Sequence, residues 1–309
     1  MRREISAEGI DRDPMSCVTV GSFDGIHLGH REILRYLIDR SRVHGGSSTV
    51  VSFDPHPRDV LTGVVMPLLT TIEERAREFE ALGLDRFIVL EFTQTFAEMT
   101  AERFVEDILV NTIGLREIVV GHDHRFGKDR RGDVALLRKM GASLGFLVDV
   151  IPARMVGQSV VSSSTIRRLL AQSGNVRGAA ALLSRPHSIT GTVIRGAGKG
   201  RTLGFPTANI RLSEPRKVIP LSGVYAVRVR TGGITYGGMM NIGVRPTVMT
   251  SKTLHVEAHL FDFGGDLYGQ SVEVWFIERL RDELAFPSLE ELRAQLVQDE
   301  LRSRALLDS

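Results

Sequence analysis

The sequence predicts two folds in one chain: a Rossmann-like α/β domain with a parallel sheet, followed by a small antiparallel all-β barrel with a terminal helix. Three observations carry this. Strand and helix patterns alternate from Cys17 to Ile151, and such alternation implies a parallel sheet with helices on both faces. Beyond Ser184, Arg185 and Pro186 the pattern changes to short β-rich runs separated by Gly, Pro and Asp clusters, as in small closed barrels. The 309 residues also suffice for two hydrophobic cores. The expected domains are therefore 1–185 and 186–309.

In the first domain a strand over 17–20 leads into a helix over 30–42, with Ile33, Leu34 and Leu37 on one face. The β-branched run 48–53 is the next strand. Thr71 and Glu74 have capping-box spacing and open a helix that runs to Leu82. Strands over 86–91, 117–121 and 146–151 then alternate with helices over 101–112 and 133–144, and a short helix over 175–183 precedes the boundary. In the second domain strands are expected over 187–195, 223–230, 235–242, 254–261 and 271–278. Ser288 and Glu291 start a final helix to about Leu307, whose Leu289, Leu292, Leu296 and Leu301 are expected to lie against the barrel.

Composition narrows the function classes. A hydrophobic content of 42% and a charged content of 25% are ordinary for a soluble globular protein. The net charge of +2 makes no case for nucleic acid as a partner, and nothing resembles a DNA-binding helix-turn-helix. There is no run of about 18 apolar residues and no signal-peptide pattern. A cytoplasmic protein without a membrane partner is expected, as a monomer or transient homo-oligomer. The single cysteine, Cys17, cannot form an intrachain disulfide and is expected in the core.

The chemistry of the first domain is expected around VTVGSFDGIHLGHREIL, Val18 to Leu34. An apolar strand runs into Gly21, Gly25 and Gly29, and a helix follows. Glycine lets backbone approach a ligand closely, and the first turn of a helix offers free N–H groups to an anion. His27 and His30, three apart, would face that anion together and donate to charge developing on a phosphoryl oxygen. On the residues alone, capping histidines and a glycine-shaped turn remain an open reading.

Gly21, Phe23, Asp24, Gly25, His27, Gly29 and His30 together spell G-x-F-D-G-x-H-x-G-H. That string resembles the nucleotidyltransferase signature and, with its Phe-Asp-Gly, is most similar to the FAD synthetase half of the bacterial bifunctional riboflavin kinase/FAD synthetase family. The resemblance extends to Phe53-Asp54-Pro55-His56-Pro57, where two prolines are expected to fix an extended exit from the sheet. It includes the stretch around Phe92 and Phe96, which reads as core packing. It also covers VVGHDHRFGKDRRGD, with Asp123 in register and Arg125, Lys128, Arg130 and Arg131 as a phosphate-suited or merely solvated run. His122 and His124 depart there from the acidic or aromatic residues usual in the family. At Val160–Arg167 the serines read as N-caps or as part of an anion site. The family's S-S-S/T-x-I-R motif implies phosphate binding by Ser163, Ser164 and Arg167, with Arg168 a weaker candidate. Together these residues imply ATP binding and transfer of an adenylyl group to FMN, giving FAD and pyrophosphate.

In the second domain, Gly196-Ala-Gly198-Lys199-Gly200-Arg201 is a glycine-rich basic loop able to close over phosphates. Thr207 and Asn209, two apart in an extended segment, could complete a Mg²⁺ shell or satisfy turn backbone. Glu257, between apolar Val256 and Ala258, reads as a solvent-facing strand residue or as a base for a hydroxyl. Gly204-Phe205-Pro206-Thr207-Ala208-Asn209 resembles the riboflavin kinase signature, and the stretches around Asn241, His255–His259 and Asp262–Gly269 follow in register. The resemblance implies that Glu257 is the base for the ribityl 5′-hydroxyl, that Thr207 and Asn209 hold Mg²⁺, and that Arg281 and Phe286 cover the flavin ring. The implied partners are riboflavin, FMN, FAD, ATP and ADP. Two other readings stay open: a kinase whose first domain is inactive, and a transferase regulated by a flavin-binding barrel.

Overall fold

The computed structural model describes all residues except 6–8, 157–158, 197–199, 201–202, 247–251 and 309. Gly198, Lys199 and Arg201 therefore lie outside the described residues. The chain divides into two compact units, Met1–Ser163 and Ser164–Ser309.

The first unit holds strands β1 (Arg2–Ile5), β2 (Ser16–Val20), β3 (Ser48–Asp54), β4 (Arg86–Glu91), β5 (Leu115–Gly121) and β6 (Leu147–Ile151), all parallel, in the order β1-β4-β3-β2-β5-β6. Every residue of β2 is buried, as a central strand covered on both faces requires. Successive strands run outward on one side, β2 to β3 to β4, and then on the other, β5 to β6. The order thus reverses beside β2, and at such a switch point the carboxyl ends of the strands open a crevice. Helices α1 (Leu28–His44), α2 (Pro57–Thr62), α3 (Ile72–Leu82), α4 (Gln94–Ala97), α5 (Ala101–Arg103) and α6 (Val134–Leu144) connect them, and β7 (Met155–Val156) and β8 (Ser159–Val160) form a small ribbon. The expected capping box on α3 is present in both directions.

One expectation needs correction here, and two details lie beyond the sequence reading. The helix expected over 101–112 continues from α5 as a π-helix, Phe104–Ile113, closed by the Gly114 N–H donating to the Leu109 carbonyl. Apolar spacing sets a helix there but not which carbonyl each N–H selects. The exit from β3 is not extended: the Asp54–Pro55 peptide is cis, and Pro57 starts α2 with His56 as its N-cap, a position where proline's missing N–H costs nothing. The strands β1, β7 and β8 went unpredicted, because runs of only 4, 2 and 2 residues carry too little pattern.

The second unit contains α7 (Ser163–Ala171, from the last residue of the first unit), α8 (Val176–Leu183) and a closed antiparallel barrel. Its strands are β9 (Ser188–Ile194), β10 (Ala208–Leu212), β11 (Gly223–Thr231), β12 (Ile234–Pro246), β13 (Lys252–Leu260) and β14 (Ser271–Arg281). They are ordered β10-β13-β12-β11-β14-β9, and β9 pairs back to β10. Alternation sends Tyr225, Val227, Met240, Ile242, Val256, Ala258 and Phe276 inside, all buried. The terminal helix α9 (Leu289–Leu307) lies on the outside against β11, β12 and β14.

The face expected to pack α9 is wrong in part. Leu289 and Leu301 are 68% and 59% exposed, and the buried positions are Asp299, Ser303 and Leu307. Polar anchors set the helix's rotation. Arg281 of β14 makes a two-pronged pair with Asp299 at 2.7–3.0 Å, and Arg228 of β11 donates to the Leu307 carbonyl at 2.6 Å. An apolar count cannot see such anchors. Among the described residues, no helix is long and apolar enough to cross a membrane.

Candidate active sites

The first site grows from the turn between β2 and α1. Phe23 (φ 48°), Gly25 (φ 87°) and Ile26 (φ 43°) all take left-handed backbone, a conformation that costs free energy for the two non-glycine residues. Packing offsets it. Phe23 and Ile26 are buried, and the Phe23 ring sits 5.0 Å from His30 and edge-on to Phe79. Asp24 does not face solvent: its carboxylate accepts from the Leu69 and Thr70 N–H groups at 3.0 and 2.7 Å and from the Thr70 hydroxyl at 3.0 Å. The Thr70 hydroxyl in turn accepts from the Gly25 N–H, and Ser163 donates to the Asp24 carbonyl, both at 2.8 Å.

His27 caps α1, its Nδ1 accepting from the His30 N–H at 3.3 Å. The two imidazoles stack 3.6 Å apart. A Cβ on Gly29 would stand 3.3 Å from the His27 ring, and one on Gly21 3.1 Å from Phe23, so these glycines make room for the rings. Burial pushes His27 down to about 4. It also lowers His30 well below the usual imidazole range, with the neighbouring His27 and Arg75 adding to the shift. Both rings are therefore neutral near pH 7. Because Nδ1 of His27 accepts, its proton resides on Nε2, a donor beside the N-terminus of α1. Nδ1 of His30 is buried without a hydrogen-bond partner. The pair offers oriented neutral donors to an anion.

The other predicted residues of this unit are spread more widely. Asp123 is exposed at the end of β5. The basic run is paired locally, Arg125 with Asp133 at 2.8 Å and Lys128 with Glu98 at 2.5 Å. His124 stacks on Phe126, 5.5 Å between centroids, and burial pushes it down to about 4. It therefore fills an aromatic position as a neutral ring. Phe92 and Phe96 are half-buried and pack against Phe53. Ser164, Arg167 and Arg168 of α7 fall in the second unit, where Ser164 and Arg168 are exposed and Arg167 is half-buried.

The barrel site is made by register. Asn209 of β10 stands opposite Glu257 of β13, and Glu257 opposite Asn241 of β12. The three share the outer face, because the residues flanking Glu257 and Asn241 point into the core. Thr207 donates to Glu257 at 3.4 Å, and Asn241 donates to Glu283 at 3.2 Å. A Cβ on Gly196 would lie 2.0 Å from the Asn209 amide, and one on Gly200 2.3 Å from the Phe205 carbonyl, so only glycine permits the close approach. Gly204 turns the chain with φ 83°, Phe205 is buried, and the Pro206 carbonyl hydrogen-bonds to Nδ1 of His259 at 2.8 Å. The hydroxyl, amide and carboxylate of Thr207, Asn209 and Glu257 form an oxygen-rich set that suits Mg²⁺. Beside them a concavity is lined by Pro206, Thr207, Ala208, Ala258 and Leu260. Arg281 lies over Phe286, 5.8 Å from its ring centre, while held by Asp299.

Sequence reasoning gave no role to His259, Glu283 or Thr70, although His259 closes the singled-out stretch His255–His259 and Glu283 lies between Arg281 and Phe286. His259 stood two residues from Glu257 on the same strand face, which could have flagged it. For Thr70 no local signal existed.

Residues 10–165 match the FAD synthetase family and residues 183–307 the riboflavin kinase family. Proteins described as bifunctional riboflavin kinase/FMN adenylyltransferase from Haemophilus influenzae and Pseudomonas fluorescens are 38% and 40% identical to this chain. The matches cover 94% of this chain in each case, and 94% and 93% of those proteins. A crystal structure from Streptococcus pneumoniae, described as a macrolide-efflux protein, shares the fold with a TM-score of 0.89 at 31% identity over 96% of both chains. With both domains matched in order and relatives of nearly equal length, this chain belongs to the bifunctional riboflavin kinase/FMN adenylyltransferase family.

Proposed function

We propose that the chain makes FAD from riboflavin in two steps, with residues 186–309 acting first and residues 1–185 second. The observation that carries this reading is the presence of two separate constellations, the stacked histidines at the head of α1 and the cross-strand row centred on Glu257. In the first step Glu257 takes the proton of the ribityl 5′-hydroxyl as its oxygen attacks the γ-phosphorus of ATP. FMN forms and ADP leaves. Thr207 and Asn209 would hold Mg²⁺, which when bound offsets phosphate charge. Thr207 also orients Glu257, and Asn241 anchors the Glu283 side of the row.

In the second step a phosphate oxygen of FMN attacks the α-phosphorus of another ATP, and the bond to the β-phosphate breaks. FAD and pyrophosphate result. No covalent protein nucleophile takes part. His27 and His30, neutral and fixed by stacking, donate to the charge that develops on the phosphoryl oxygens. The substrates are small molecules, so a cytoplasmic monomer or transient homo-oligomer meets the needs of both steps.

The test is chromatography of products after incubation with ATP, Mg²⁺ and either riboflavin or FMN. Riboflavin passing to FMN and then FAD, with pyrophosphate released, is expected. FMN as the final product would contradict the transferase half, and unchanged riboflavin would contradict the kinase half.

A further inference from the structure

Arg75, in the first turns of α3, is 4% exposed and lies beneath the strained turn that carries the histidines. Its Nη1 donates to the Ser22 carbonyl at 2.5 Å and to the Ser52 hydroxyl of β3 at 3.0 Å, and its Nε reaches the Thr71 carbonyl at 3.5 Å. No carboxylate is in ion-pair contact with it among the described residues; Asp24, Asp54, Glu73 and Glu74 act on it through space. A guanidinium buried without a paired carboxylate is costly. Structural need alone is met more cheaply by an apolar side chain.

We propose that Arg75 is a positioning residue for adenylyl transfer: its guanidinium ties the β2–α1 turn to β3 and α3, and thereby sets where His27 and His30 meet the nucleotide phosphates. This rests on the reading of those histidines as the transfer site. The clamp is two-sided. Thr70, five residues before Arg75, holds Asp24 and Gly25 on the far side of the same turn, so the segment 69–75 grips the turn at Ser22, Asp24 and Gly25. The charge has a second effect. His27 and Arg75 are the two groups that act electrostatically on His30, and both oppose its protonation; Asp24 acts the other way on His27. Protonating one ring of a stack 3.6 Å apart would place a charge against its neighbour, so the neutral pair is the working form.

The experiment compares FMN adenylylation by the full-length protein and by Arg75→Met, Arg75→Lys, Ser52→Ala and His30→Ala across pH 5 to 9, with riboflavin phosphorylation by the same chains as a control. Arg75→Met is expected to lower kcat by about 10- to 100-fold, the scale of a misplacement near 1 Å. It should also move the acid limb of the profile to higher pH, because a charge that opposes His30 protonation is gone. Arg75→Lys keeps the charge and should leave the acid limb in place while recovering part of kcat. Ser52→Ala, which loses one strut, should fall between Arg75→Lys and wild type in kcat. Kinase activity should stay at the wild-type level throughout. Wild-type kcat and an unmoved acid limb in Arg75→Met would overturn the inference. If that variant does not fold, wild-type kcat in both Arg75→Lys and Ser52→Ala would overturn it instead. Full adenylylation by His30→Ala would remove the site reading itself, a result distinct from either.

Discussion

In the first unit the proposed catalytic groups come from one stretch, Gly21 to His30, whereas in the barrel they come from three strands, at Asn209, Asn241 and Glu257, brought level by register. The first arrangement stores strain. Its turn carries Phe23 and Ile26 at positive φ and holds them with buried rings and the Asp24–Thr70 clamp. The second has regular strands under Glu257 and Asn241, and needs only that Asn209, Glu257 and Asn241 be opposite one another. A parallel sheet presents its chemistry at strand ends, where local sequence decides. A barrel presents it on a wall, where a one-residue slip would turn Glu257 into the core.

That contrast can be broken by single substitutions. The largest effect is expected from Glu257→Ala, which should lower FMN formation by about 100-fold or more through loss of the base while FAD formation from supplied FMN continues. His30→Ala should lower FAD formation from FMN by about 100-fold through loss of a preorganised group at the phosphate site, with riboflavin phosphorylation unchanged. Asn209→Ala should raise the Mg²⁺ concentration needed for half-maximal kinase activity several-fold, roughly the 10-fold scale of one lost metal contact. It should leave the transferase untouched, and parallel Mg²⁺ titrations of the two reactions would show whether it does.

Smaller effects sharpen the comparison through stability. Asp299→Asn removes the charge that holds Arg281 and should destabilise the barrel by about 3 kcal/mol, the scale for breaking a buried pair. Chemical denaturation would report it. In the first unit, burial pushes His27 down to about 4, below the ordinary value near 6.5. Between those values the unfolded chain binds a proton that the folded chain does not. Stability therefore rises as pH increases from about 4 to 6.5 and this contribution is constant above that range. His27→Asn, which keeps a capping acceptor, should flatten the dependence in melting curves. Cys17, pushed up to about 12 by burial, should resist alkylation at neutral pH until the chain unfolds.

Much of the architecture was legible in the sequence. The period-2 and period-3.6 runs marked the longer strands and helices but not β1, β7, β8, β10, α2 or α4, and Thr71, Ser288 and Asn175 marked helix starts that the structure keeps. The glycine–histidine turn was legible because its residues are adjacent. Asn209 and Glu257 were named by resemblance, but their opposition is a fact of register that no local pattern encodes. The rotation of α9 was misread because Arg281 and Asp299, distant in sequence, outweigh its leucines. Asp24 belongs to the motif that the resemblance links to ATP, and its carboxylate accepts from Leu69 and Thr70, partners that only folding brings near.

The central claim is that two independent sites divide the two reactions. Its most direct test follows both products in parallel with purified Glu257→Ala and His30→Ala proteins, each given riboflavin or FMN with ATP and Mg²⁺. The account predicts a double dissociation: Glu257→Ala converts FMN but not riboflavin, and His30→Ala stops at FMN. Loss of both activities in either variant, with the fold intact by its melting transition, would contradict it.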